Sequence, residues 1–200
     1  MDGHSLAIGI NKMSDEKGNK LNLEEEEVAF PDKNLEGVVR RALDKPEGPL
    51  IRRDIVGLVD LTCVGKEIKE LSGLEQAYNL TLLNPSDNQL SDINPLASLS
   101  NLIGLFLGYN NIRDISPLSS LTSLRRLHLG DNLISDLSPL VSLTNLTWLY
   151  LRGNRISSIG PLRALTKLTY LGLSGNPLDL ESFDIHVPNL RAQGVHVQLM

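Results

Sequence analysis

Five asparagines set the terms on which this chain can fold. Asn88, Asn110, Asn132, Asn154 and Asn176 stand 22 residues apart without a slip. The same frame precedes each of the last four: Leu102, Leu105 and Leu107; Leu124, Leu127 and Leu129; Leu146, Leu149 and Leu151; Leu168, Leu171 and Leu173. Two residues after each Asn comes an Ile or Leu. Three further on comes a second apolar residue, except after Asn176, where Glu181 takes that place. Pro95-Leu96, Pro117-Leu118, Pro139-Leu140 and Pro161-Leu162 then close the unit.

This spacing dictates a stack of coils. Leu-x-Leu has the period of a strand, so both leucines point to one side. Strands of successive coils pair in parallel. Each Asn ends its strand, and its short amide can bond turn backbone that would otherwise be buried unpaired. Repeated every 22 residues, these amides form a ladder. Pro-Leu-x-x-Leu returns the chain as a short 3₁₀ or single α turn, with Ser116 or Ser138 as its cap and Pro117 or Pro139 at its first position. Leu118 and Leu121 then point inward. Asp92, Asp114 and Asp136 also recur at 22 residues; a column of carboxylates suits a cation, but the preferred reading is that they accept turn hydrogen bonds just before each Pro-Leu. No coil has a core of its own; each buries its leucines against its neighbours.

The frame matches the leucine-rich repeat pattern L-x-x-L-x-L-x-x-N-x-L. Its period, with Ile115-Ser116-Pro117-Leu118, resembles bacterial internalin-type and phosphatase-regulator-type repeats. The segments Asn79-Leu80-Thr81 and Leu143-Thr144-Asn145-Leu146-Thr147 look like the bacterial version, and Phe30-Pro31-Asp32-Lys33-Asn34-Leu35 is similar to its helical cap. The fold expected is an α/β leucine-rich repeat solenoid, with short parallel strands on the concave face, short 3₁₀ or helical turns on the convex face, and a helical N-terminal cap.

Two coils depart from the frame. Pro85 stands where Leu107 stands one coil later, and a proline cannot donate to a ladder, so strand pairing should break locally. One coil earlier Lys66 replaces Asn. Cys63 there reads as a small buried hydrophobe, with a reactive thiol as the alternative.

Solenoid ends need covers. Residues 1–27 carry seven acids against three lysines and read as a disordered acidic tail. Residues 28–60 read as the N-terminal cap, with a helix begun by Asp32 or Asn34 and carrying Leu35, Val38, Val39, Ala42 and Leu43 on one face. The repeats run over 61–178. Residues 179–200 read as a C-terminal cap: a helix bent at Pro188 and stopped by Gly194, then an alternating edge strand from Val195 to Leu199.

Composition removes several classes of function. A net charge of −5 and a pI near 5.4 lack the basic footprint of a nucleic-acid protein. One cysteine rules out an internal disulfide framework. No apolar run reaches the ~18 residues of a membrane span, and Leu6–Ile10 falls short of the ~7–15-residue core of a signal peptide. The expectation is a soluble chain without membrane insertion, although the resemblance implies relatives that are secreted or surface-attached. Catalytic and phosphate-binding motifs are missing, and His4, His128, His186 and His196 lack metal-ligand spacing. No metal and no cofactor is expected. Asp15–Glu26 fits a calcium loop poorly, since Lys17 occupies a ligand position. The glycosylation triplets at Asn79 and Asn145 fall inside the repeat frame and read as structural.

Because leucines fix the core, function falls to the residues between them. Aligned by 22, these form four outward columns: Leu82, Gly104, Arg126, Trp148, Tyr170; Asn84, Phe106, His128, Tyr150, Gly172; Ser86, Gly108, Gly130, Arg152, Ser174; and Asp87, Tyr109, Asp131, Gly153, Gly175. Five of the chain's eight aromatics lie here, with Arg126, His128 and Arg152 among them. Trp, Tyr and Arg dominate interface hot spots, and so much contiguous ring area is unusual in water. The competing reading is that rings favour strands and shield one another. Phe106, Tyr109, Arg126, His128, Trp148, Tyr150, Arg152 and Tyr170 are therefore the candidate partner-binding residues. The expected function is non-enzymatic binding of a protein on this patch, which the internalin resemblance also implies. Alternatives are an intracellular regulatory subunit of an enzyme such as a phosphatase, and the substrate-recognition part of a larger enzyme. Saccharide stacking fits the rings but lacks a carboxylate or Asn cluster beside them. Pairing of solenoids through the edge strand 195–199 is compatible with the pattern.

Overall fold

The structure, a computed structural model, describes residues 25–199. The tail expected over 1–27 lies outside them but for its last three residues. Seven three-residue strands form one parallel sheet in chain order: β1 (Asp60–Thr62), β2 (Leu82–Asn84), β3 (Gly104–Phe106), β4 (Arg126–His128), β5 (Trp148–Tyr150), β6 (Tyr170–Gly172) and β7 (His196–Gln198). Register follows the repeat. Leu61, Leu83, Leu105, Leu127, Leu149 and Leu171 pair in succession at the middle of each strand, and all are buried. The last step differs, because Tyr170 pairs with His196 across a longer connection.

The return segments are 3₁₀ turns at Asn94–Ser98, Ser116–Ser120, Ser138–Ser142 and Gly160–Ala164, each with proline at its start. Leu118 and Leu121 are buried, as are their counterparts in the neighbouring coils. Parallel strands sit ~4.8 Å apart, closer than the bulkier turns can pack, so the stack curves with its strands on the concave side.

The caps of these turns correct one expectation. Ser116 and Ser138 do not cap. Asp114 Oδ1 accepts from the Ser116 backbone N–H, and Asp136 Oδ1 from that of Ser138, both at 2.8 Å. Each serine hydroxyl instead donates to the other carboxylate oxygen. A carboxylate outcompetes a hydroxyl as acceptor, and these bonds hold Asp136 below the usual carboxylate pKa.

The asparagines join coil to coil. Asn132 Nδ2 donates to the carbonyls of Leu129 and Gly130 in its own coil and of Leu107 in the preceding one. Its Oδ1 accepts from the Ile112 N–H, also in the preceding coil. Asn110 and Asn154 repeat the pattern, and all three are buried. The amides thus form a ladder through backbone.

Pro85 breaks the pairing as expected: β2 meets β3 at Leu82 and Leu83 only. The Ser86 hydroxyl donates to the Phe106 carbonyl at 3.1 Å, serving the acceptor that a proline nitrogen cannot. Pairing resumes at Asp87, whose N–H donates to Gly108.

At the N-terminal end, helix α1 (Lys33–Ala42) is capped by Asp32, whose Oδ1 accepts from the Asn34 and Leu35 N–H groups. Its Oδ2 accepts from Lys69, tying the helix to the first coil. Phe30 packs so closely on Gly73 (φ +100°) that a Cβ there would meet the ring at 2.8 Å. A short helix α2 (Arg52–Val56) leads into β1. At the other end, a π-type turn at Ser182–His186 runs into helix α3 (Val187–Ala192). The wider turn lies immediately before Pro188, which supplies no N–H to an α-ladder. Arg191 donates to the Val197 carbonyl of β7 at 3.2 Å, occupying part of an edge that would otherwise invite another strand.

Replacing Asn132 by Ala strands the buried Ile112 N–H, while the Leu107, Leu129 and Gly130 carbonyls each keep one other donor, from Asn110, Asn154 and the Tyr109 N–H. A loss of about 2 kcal/mol in urea unfolding is expected, against under about 0.5 kcal/mol for exposed Asn111→Ala.

Candidate binding face

The outward columns meet the sheet as the spacing requires. Arg126 pairs with Trp148 and Trp148 with Tyr170; Phe106 pairs with His128 and His128 with Tyr150. The structure draws four of the eight candidate residues into a ring cluster. Trp148 and Tyr150 are 8° from parallel with centroids 5.8 Å apart, and Trp148 and Tyr170 are 10° from parallel at 5.5 Å. His128 lies 4.8 Å from Tyr150. These rings are half-buried.

The cluster continues to a residue absent from the candidate set. His196 stacks on Tyr170 at 5.6 Å, and the Tyr170 hydroxyl donates to Gln198. Burial and the neighbouring Tyr150 push the Tyr170 pKa upward. The only available signal for His196 was the alternating Val195–Leu199 strand, because the connection from β6 abandons the 22-residue pitch.

Glycines make room for the rings. The Cδ1–Cε1 edge of Tyr150 faces Gly130 and its Cδ2–Cε2 edge faces Gly172, and a Cβ at either glycine would collide with it. A Cβ at Gly108 would collide with the His128 imidazole. The gaps between aromatics in the columns are therefore part of the same packing.

The fourth column is not strand. Gly65, Asp87, Tyr109, Asp131, Gly153 and Gly175 occupy one left-handed position per coil, with φ between +54° and +71°. Glycine takes that conformation freely, whereas a bulky residue there is a genuine outlier. Tyr109 holds it at φ +56° with 56% of its surface exposed. It stands apart from the ring cluster, as does half-buried Phe106, whose ring leans over Gly104.

Charge is sparse here. Arg126 and Arg152 are exposed and enter no ion pair among the described residues. Tyr150, Asp131 and Tyr109 lie close to the Arg152 guanidinium and favour its charged form. Asp131 Oδ2 is buried without a hydrogen-bond partner. Burial pushes the His128 pKa down, against the opposing pull of Asp131. Its Nδ1 accepts from the Gly130 N–H at 3.3 Å, which leaves Nε2 to carry the proton of the neutral ring.

Other sequence candidates go elsewhere. Cys63 is fully buried, and desolvation pushes its thiol up to about 12, far from a reactive thiolate. The Asn79 and Asn145 amides donate to the Val56 and Thr122 carbonyls, in keeping with a structural reading of both triplets. A cavity of about 450 Å³ lies where α3 meets the convex turns, lined by Ile159, Arg163, His186 and Leu190 and bordered by none of the clustered rings. Among the described residues no group of His, Cys, Asp or Glu could hold a metal ion, and no helix is long and apolar enough to cross a membrane.

Comparison with known proteins agrees with this architecture. A family model of leucine-rich repeats, in two copies, matches residues 100–142 and 144–184. The crystal structure of the internalin InlF from Listeria monocytogenes is similar at a TM-score of 0.70 and 28% identity, over 90% of this chain and 59% of that one. Internalin C2 of the same organism is similar at 0.61 and 26%, over 86% of this chain and 94% of that one. The chain thus spans about three-fifths of the InlF chain it matches. No curated protein matches it by sequence. Residues 100–142 and 144–184 are thus leucine-rich repeats, and the solenoid they belong to is similar to those of the two Listeria internalins.

The half-buried His128 gives a pH signature. Its folded pKa lies below the ordinary value of about 6.5, so near that pH the unfolded chain binds a proton that the folded chain refuses. Stability is therefore fully present above that pH and falls as pH drops toward the folded pKa. Urea midpoints taken between pH 7 and 5 should decline, and His128→Gln should flatten the decline.

Proposed function

We propose that this chain is a non-enzymatic binding module that docks a protein on its concave face, with Trp148, Tyr150 and Tyr170 at the centre. Arg126, His128 and Arg152 flank them, and Phe106 and Tyr109 extend the surface by one coil. The ring cluster carries this reading. Curved repeat arrays use their concave surfaces to bind, and Trp, Tyr and Arg supply most hot-spot energy when a partner desolvates them. Rings already fixed by their neighbours and by the glycines beneath them lose little entropy on docking. Tyr109 supports the reading independently. It holds a strained position that glycine or aspartate fills in the other coils, and strain of this kind, costing about 1–3 kcal/mol, gathers at ligand-binding sites.

The test is affinity capture from a native lysate. Trp148→Ala with Tyr150→Ala should abolish capture of the partner while far-UV circular dichroism is kept; undiminished capture would contradict the proposal. Tyr109→Gly should separate function from folding, raising stability by about 1 kcal/mol while weakening capture. A gain in stability with capture intact would remove Tyr109 from the site.

A further inference from the structure

We infer that the segment docking on this face is acidic, with two carboxylates flanking ring-bearing side chains; the inference rests on the docking reading above. It starts from how charge is distributed along the columns. Asp60 and Asp87 lie at the β1–β2 end, where Asp60 Oδ1 accepts from the Thr81 hydroxyl. The next coil presents Gly104, Phe106, Gly108 and Tyr109, with no charge. Arg126 and Arg152 follow, both exposed and unpaired by any carboxylate of the described residues. The one acid within this part, Asp131, lies near Arg152 and has Oδ2 buried, so it offsets one of the two positive charges and leaves Arg126 without an opposing carboxylate. The face is therefore polarised, acidic at one end and cationic where the rings are.

Two guanidiniums bracketing a ring cluster define a complementary ligand. Guanidinium binds carboxylate as a bidentate fork, and it does so most strongly where neighbouring rings exclude water. Arg126 and Arg152 are one strand and four residues apart, roughly 14 Å at the backbone. An extended segment with acidic residues about four apart spans that distance, and the residues between them lie over Trp148 and Tyr150. The chain as a whole carries −5 and repels such a segment at long range. Attraction therefore comes from the local pair of arginines, and the polarity of the face fixes the segment's direction.

Trp148 is the sole tryptophan, so its emission reports on this face in the full chain. The probe is the random copolymer poly(Glu,Tyr), with poly-Lys and an oligothymidylate as comparisons. A saturable change in Trp148 emission is expected with poly(Glu,Tyr) and weakens at high salt; poly-Lys should give none. Arg126→Gln with Arg152→Gln should weaken binding at least tenfold and remove most of its salt dependence. Tyr150→Ala with Tyr170→Ala should weaken it comparably. Equal binding by the arginine variant, with loss in the tyrosine variant, would overturn the acidic assignment and leave docking on the rings standing. No response to poly(Glu,Tyr) would overturn the assignment as well, and docking would then rest on the capture experiment alone. Oligothymidylate binding as tightly would show a general anion site in place of one for peptide.

Discussion

Everything in this molecule depends on a side-chain amide that satisfies backbone in two coils at once. A coil end buries carbonyls that strand pairing alone does not fully satisfy. One Asn per coil takes three of them as acceptors, one of which also accepts a backbone N–H, and returns its own oxygen to an N–H of the preceding coil. That bond set requires the same number of residues in every turn, since a single insertion would move the amide away from its partners. The constant pitch follows from it, and from the pitch follow the leucine stack inside and the residue columns outside.

Further ladders lie beside this one. Ser98, Ser120 and Ser142 donate to the convex turn of the preceding coil, and Asn79, Asn101 and Asn145 do the same on the descending flank. The asparagine and leucine ladders were legible in the sequence, because they need specific side chains at fixed intervals in a dry interior. The flank ladders were not, since serine and asparagine on an exposed coil also suit plain solvation. At the turn starts the aspartates accept as their spacing implies, and only the serine caps differ, because both residue types cap and the order of their acceptor strengths decides between them. The array's end was hidden too. Gly160 and Ala164 stand where earlier coils carry serine, and His186 lies against Gly160, so the polar positions lapse where the final helix needs the room.

The ring columns were readable as columns, because parallel register turns a sequence interval into adjacency. Which rings would touch was not readable. Phe106 is in register with His128, yet its ring turns aside over Gly104, while His196 enters from outside the period. The role of the glycines was equally invisible: in sequence they look like gaps in the aromatic columns, and in the fold they are the floor on which the rings rest. Three departures from ideal local chemistry lie on this face, namely a tyrosine in a left-handed turn, a carboxylate oxygen buried without a partner and a histidine whose pKa burial pushes down; others, such as the buried Arg52 Nε and Glu67 at positive φ, lie nearer the N-terminal end. Sequences specify structure by consistency across levels, and sites of function are where that consistency is relaxed. The core beneath, leucine on leucine, shows no such departure.

The central claim is geometric: coils of constant pitch place residues of one column at a fixed spacing along a single sheet. Spin labels at Asp60→Cys and His196→Cys test it directly, with Cys63 protected from labelling by its burial. Six strand intervals separate the two positions. The account predicts a single narrow distance distribution at about 29 Å, from about 4.8 Å per interval. A broad distribution, or one centred far from that value, would contradict it.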